Sequence, residues 1–292
     1  MSESVPIEAD GSRTPFSTFG SYLSVQTLPH VRAGIEAAGA GVYLCGHVSR
    51  GRGRREVARL QLIVDGEPTD VAGRAEGEQL VLEAAGGRRL TLCFDGPDSL
   101  RVFGADGLGL RLDAVEHPWV AGTAYPHDDA RWVLNATPNT LRLGLEPVAG
   151  RIEPALTWQA GGNLRRMGFD VLPTDGRLDV ALDYFQSTWT PRKRCAPAAV
   201  VERAAASFRA FIDPLPPAPP HLADVRQLAA RTLWASAIAP YGLLARPTIL
   251  MSKVVMDQVW SWDHCFNALA LSAAHPDLAW DQLMLVFDHQ DA

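Results

Sequence analysis

Between Phe19 and Phe185, apolar and polar side chains alternate along a series of short runs. A period of two sends successive side chains to opposite faces of an extended chain, so each run predicts a strand with one buried face. The runs cover residues 22–27, 42–48, 58–64, 80–83, 90–94, 100–103, 108–112, 132–135, 141–145 and 178–184. Between them stand Asp65-Gly66, Gly86-Gly87, Asp95-Gly96, Asp106-Gly107 and Asp175-Gly176. These dipeptides supply the positive φ angles of tight hairpins. Nothing in this region repeats a strand–helix–strand pattern. The expected architecture is therefore an antiparallel β-sandwich, not a doubly wound nucleotide-binding sheet.

Near Pro197 the period lengthens. Residues 198–212 form an Ala-rich helical stretch that ends at Asp213-Pro214, and Pro214, Pro216, Pro217, Pro219 and Pro220 then impose an extended linker. Leu222, Val225, Leu228, Ala229 and Leu233 return at helical spacing, with Asp224 in the first turn. Residues 241–258, which include Gly242 and Pro247, suit a long loop or short hairpin. Two more helices are expected at 262–274 and 276–290, the second opening on Pro276. Both are apolar nearly all round, with Phe266, Leu269 and Leu271 in one and Leu278, Trp280, Leu283, Leu285 and Phe287 in the other. Such helices need neighbours on several sides. The chain is accordingly expected to be an incomplete piece of a longer helical domain, the alternative being that the β domain or a second subunit covers these faces.

Composition narrows the function. A net charge of −6 gives no excess of Lys and Arg for a nucleic-acid backbone. Residues 1–14 show neither a basic nor an apolar signal segment, and no apolar run of about 18 residues occurs, so no membrane partner is expected. Cys45, Cys93, Cys195 and Cys265 are scattered without a CxxC pair, which predicts reduced, mostly buried thiols and a cytoplasmic location. His264 beside Cys265 lacks the second ligand pair that a metal site requires. There is no GxSxG elbow, phosphate loop or dinucleotide fingerprint, and no cofactor is expected. Arg50, Arg52, Arg54 and Arg55, interleaved with glycines, read as a solvated hairpin tip.

The densest cluster of candidate site residues runs from Met256 to Asn267, where a loop enters a helix. Trp260 and Trp262 offer flat apolar faces for the C–H face of a pyranose, and Asp263 can accept hydrogen bonds from vicinal hydroxyls. A capping Asp beside two core tryptophans is the plainer alternative. The order Met251-Ser252-Lys253, Trp260-Ser261-Trp262-Asp263-His264-Cys265-Phe266-Asn267-Ala268, Leu278-Ala279-Trp280-Asp281-Gln282 and Phe287-Asp288-His289-Gln290 resembles the early barrel helices of glycoside hydrolase family 63 and its bacterial relatives. Those relatives include processing-glucosidase-like, mannosylglycerate-hydrolase-like and glycogen-debranching-like enzymes, all six-hairpin glycosidases.

That resemblance implies a β-sandwich at 1–196, a helix and Pro-rich linker at 197–221, and the start of an (α/α)6 barrel at 222–292. It also implies an inverting two-carboxylate mechanism on α-glucosides or related small glycosides. Trp262 and Asp263, then Trp260 and Gln290, are the implied substrate-binding residues. No catalytic residue is assigned, because the family's acid and base lie further along the barrel. Asp281 and Asp288 share a helix face and read as solvated or helix-pairing acids. The alternatives are a non-catalytic carbohydrate-binding module using Trp119, Trp132, Trp158 or Trp189, or an assembly module that docks its apolar helices on a partner.

Overall fold

The structure is a computed structural model that describes residues 14–28, 39–48, 55–115, 122–136, 140–158, 164–254, 256–288 and 290. Trp119, Arg50, Arg52, Arg54, Asp291 and the side chain of Trp158 lie outside the described residues. Among the described residues fifteen strands come first: β1 Leu23–Leu28, β2 Gly41–Gly46, β3 Glu56–Val64, β4 Glu67–Thr69, β5 Gly73–Glu76, β6 Gln79–Glu83, β7 Arg89–Phe94, β8 Ser99–Gly104, β9 Gly109–Ala114, β10 Thr123–Pro126, β11 Trp132–Ala136, β12 Leu141–Ala149, β13 Arg151–Trp158, β14 Leu164–Leu172 and β15 Leu178–Phe185. They make two antiparallel sheets. One has the order β1-β2-β3-β9-β14-β13, with β4 paired to β3, and the other runs β10-β11-β12-β15-β8-β7-β6-β5.

The core lies between the sheets. Leu23, Leu44, Leu60, Leu112 and Phe169 from the first meet Leu82, Leu92, Leu100, Leu143 and Leu182 from the second. Alternation along β15 shows the rule at work. Leu178, Val180 and Leu182 belong to this core, while Asp179 takes a bidentate pair with the fully buried Arg101 on the other face. Two of the five expected hairpins are something else. Asp106-Gly107 and Asp175-Gly176 join strands of opposite sheets, so they are arches, and the arches are tied by Gly107 N donating to Gly176 O at 3.0 Å. Asp175 and Gly176 both take positive φ, 50° and 73°, as the sharp reversal demands.

The helices are α1 Pro197–Ile212, α2 Ala223–Ser236, α3 Ser261–Leu271 and α4 Pro276–Met284, with the short pair β16 Ala237–Ile238 and β17 Thr248–Ile249 between α2 and α3. α1 buries Val200, Ala204, Phe208 and Phe211, one helical stripe. Val200 and Ala204 cover Cys93 on the outer face of the larger sheet, and Phe208 meets Trp234 of α2 edge-on at 5.3 Å. The last helix is shorter than its apolar run: it stops at Met284, and residues 285–288 form turns. All four cysteines are free, but only Cys45 and Cys93 are buried; Cys265 is exposed.

The N-terminal segment joins the two parts. Gly20 exchanges backbone hydrogen bonds with Ala237 and Ala239, and Tyr22 donates its hydroxyl to Ala239 O at 2.7 Å. Glu78, at the turn between β5 and β6, holds Arg231 of α2 through two bonds of 2.9 and 2.7 Å. Among the described residues no helix is long and apolar enough to cross a membrane.

Candidate functional site

The loop leaving β17 becomes α3 at Trp260, which keeps an extended conformation (φ −129°, ψ 120°) while the next residue turns helical. Its carbonyl accepts two bonds from His264, one from the backbone N and one from ring Nδ1, both at 3.0 Å. Donation from Nδ1 fixes the neutral tautomer. Burial lowers the His264 pKa, in keeping with that state. His264 and Leu271 face inward, and Asn267 reaches Ile249 O at 3.4 Å.

The opposite face carries the aromatic residues. Trp262 is 73% exposed and Phe266 55%, and they meet edge-to-face at 5.4 Å, one helical turn apart. Trp260 is exposed beside them at the start of the helix. Asp263 stands in the first turn of the same helix. Trp260, Trp262 and Asp263 thus share one helix start. Gln290 lies past the end of α4, exposed, and among the described residues no hydrogen bond joins its side chain to them. Leu269 and Trp280 extend the apolar face, and an apolar groove of about 430 Å³ between α3 and α4 is lined by Cys265, Ala268, Leu269, Ala279, Trp280 and Leu283.

Two further acids of this region are engaged. Asp281 and Asp288 both bind Arg246, at 3.0 and 2.7 Å, and pin the loop before β17 onto α4. Their partner is this loop, not another helix. Gln282, fully buried between them, accepts from Ile249 N at 2.7 Å and donates to Pro247 O at 2.8 Å.

No family model matches the chain, and no curated protein matches it. Among solved structures it is similar to "Structure of the gh92 family glycosyl hydrolase ccman5", with a TM-score of 0.53 and 11% identity. That likeness shows the fold. The match covers 95% of this chain and 47% of that one, so the chain spans about half the length of the structure it resembles.

Behind the helix start lies a polar cluster that sequence reasoning did not find. On the outer face of β1 and β2, Ser24 Oγ lies 2.8 Å from His47 Nε2, and His47 Nδ1 lies 3.5 Å from Asp257 Oδ2. Arg55 reaches the same carboxylate at 3.4 Å, and Gln26 donates to Lys253 O at 2.7 Å. Burial pushes the Asp257 carboxyl up, but His47 and Arg55 outweigh it and hold the group below the usual carboxylate range. The Ser–His–Asp order invites comparison with a hydrolase relay, yet Ser24 and the His47 side chain are fully buried, so no substrate reaches the hydroxyl. Lys253 is fully buried too, and its Nζ donates to Ser17 Oγ, Ser21 O and Ala237 O at 3.0, 2.7 and 3.1 Å. Each ammonium proton has an acceptor, although burial away from carboxylates draws the pKa well below the usual lysine value.

The β-sandwich tryptophans offer no platform among the described side chains. Trp189 is buried, with Nε1 donating to Asp183 at 3.0 Å, and Trp132 packs on Phe169 of the core at 5.7 Å. Among the described residues no group of three or more His, Cys, Asp or Glu could hold a metal ion.

Proposed function

We propose that the chain is part of a glycoside hydrolase of the six-hairpin type, acting on α-glucosides or related small glycosides. In this reading residues 222–292 open an (α/α)6 barrel, residues 1–196 form its supporting sandwich, and 197–221 link them. Trp262 and Asp263 hold the terminal sugar, with Trp260 and Gln290 beside it. The inverting acid and base come from barrel helices outside these residues.

The observation that carries the reading is the exposed Trp262–Phe266 face with Asp263 at the same helix start. A pyranose needs that pairing of aromatic plane and carboxylate. The shared fold with a glycosyl hydrolase and the uncovered apolar surface of α3 and α4 support it further. The engagement of Asp281 and Asp288 with Arg246 is in keeping with an acid–base pair located elsewhere.

Calorimetric titration of the chain with maltose tests the proposal. Saturable binding is expected, weakened at least about tenfold by Trp262→Ala and by Asp263→Ala, without hydrolysis of p-nitrophenyl α-glucoside. Binding that survives both substitutions, or turnover by the chain itself, overturns it.

A further inference from the structure

Residues 252–254, 256 and 257 are tied chiefly to the sandwich and the segment that precedes it. Ser252 N donates to Met256 O at 3.0 Å, and Val254 N donates to Ser252 Oγ at 2.9 Å, so the loop closes on itself. Lys253 crosses beneath the N-terminal segment to Ser17 and Ser21, and its own carbonyl accepts from Gln26 and Arg55. Asp257 meets His47 and Arg55. Trp260 follows three residues later and Trp262 five.

That arrangement is costly for a mere connection. A buried lysine and a buried carboxylate are both withdrawn from water, and a surface loop of Gly and Ser would join β17 to α3 without either penalty. What the anchors supply is order: the loop is fixed when the protein folds, so little freedom remains to be lost when a ligand settles on the aromatic residues. We infer that His47, Asp257 and Lys253 are positioning residues through which the β-sandwich sets the placement of Trp260, Trp262 and Asp263 for a glycoside. The inference rests on the glycoside-binding reading of that helix start.

Hydrogen exchange of the whole chain tests it without a ligand. Asp257→Asn keeps the volume and removes the charge, and the amides of 258–264 should then exchange about tenfold faster. Glu78→Gln, which loosens the distant Arg231 contact, serves as the control for general destabilisation and should leave those amides unchanged. If Asp257→Asn fails to fold, His47→Gln provides the same measurement from the other side of the contact. Unchanged exchange at 258–264 in the folded variant, or equal acceleration in Glu78→Gln, overturns the inference whatever the ligand does.

Maltose quenching of tryptophan emission adds the functional arm. With positioning at work, Asp257→Asn raises the Kd about fivefold to tenfold while the quench at saturation stays as in the wild type. If the wild type binds and Trp262→Ala does not, but Asp257→Asn binds like the wild type, the positioning role is refuted and the site survives. If the wild type does not bind maltose, the glycoside reading fails and exchange alone decides whether the loop is held this way.

Discussion

Acidification should weaken the seat of His47 by an amount that denaturation can read. The ring is fully buried, and burial depresses its pKa from 6.5 to about 4, opposed by the bond to Asp257 and aided by the charges of Lys253 and Arg55. Asp257 does not reverse the effect, because Arg55 shares the same carboxylate at 3.4 Å. Between pH 6.5 and 4 the unfolded chain therefore binds a proton that the folded chain refuses, and stability falls as pH falls. The contribution is fully present above 6.5. By pH 5 about 2 kcal/mol is lost through this group, and by pH 4 about 3 kcal/mol. Urea unfolding at pH 7, 5 and 4, followed in parallel for the wild type and His47→Gln, isolates the term from carboxylates common to both. The stability difference between the two proteins should shrink by those amounts on acidification. A difference independent of pH would mean that burial leaves the His47 pKa unshifted, and one that grows on acidification that His47 is held protonated against Asp257; either result refutes the reasoning.

Other substitutions test the packing directly. Asp179→Ala should cost about 3 kcal/mol in urea unfolding, because it strips the bidentate carboxylate from the fully buried Arg101 and leaves only Asp95, at 3.6 Å, to face it. Gln282→Leu should cost about 2 kcal/mol, since Ile249 N and Pro247 O then lose their buried partner. Gly144→Ala would place a Cβ 2.1 Å from the Trp189 ring, and about 1 to 3 kcal/mol of destabilisation should accompany a shift in near-ultraviolet circular dichroism as the indole moves.

The sandwich was legible wherever a strand buried one face. The strands that escaped lie mostly at sheet edges. β13 ends its sheet and tolerates Pro154, which a central strand would exclude, and β5 and β10 end the other. β14 is interior, but Gly168 and Asp170 break its apolar pattern, and Asp170 is satisfied by Arg111 of β9 across the sheet at 2.6 Å. The arches at Asp106 and Asp175 read as hairpins because a dipeptide specifies local φ and not which sheet receives the next strand.

The helix start was visible as a dense run of Trp and Asp, whereas the cluster behind it was not. Ser24, Gln26 and His47 occupy the polar phase of β1 and β2, which in an isolated sandwich would face water. Only the return of Lys253 and Asp257, more than two hundred positions later, turns that phase inward. Lys253 and Asp257 could have signalled it, as charges flanking a loop that otherwise had no reason to carry them.

The most direct test of the sugar-holding role is the set of indole N–H resonances of the chain during titration with maltose. The proposal predicts shifts at Trp260 and Trp262 while the buried Trp189 and Trp234 stay in place. Shifts confined to tryptophans of the sandwich, or none at saturating maltose, would contradict it.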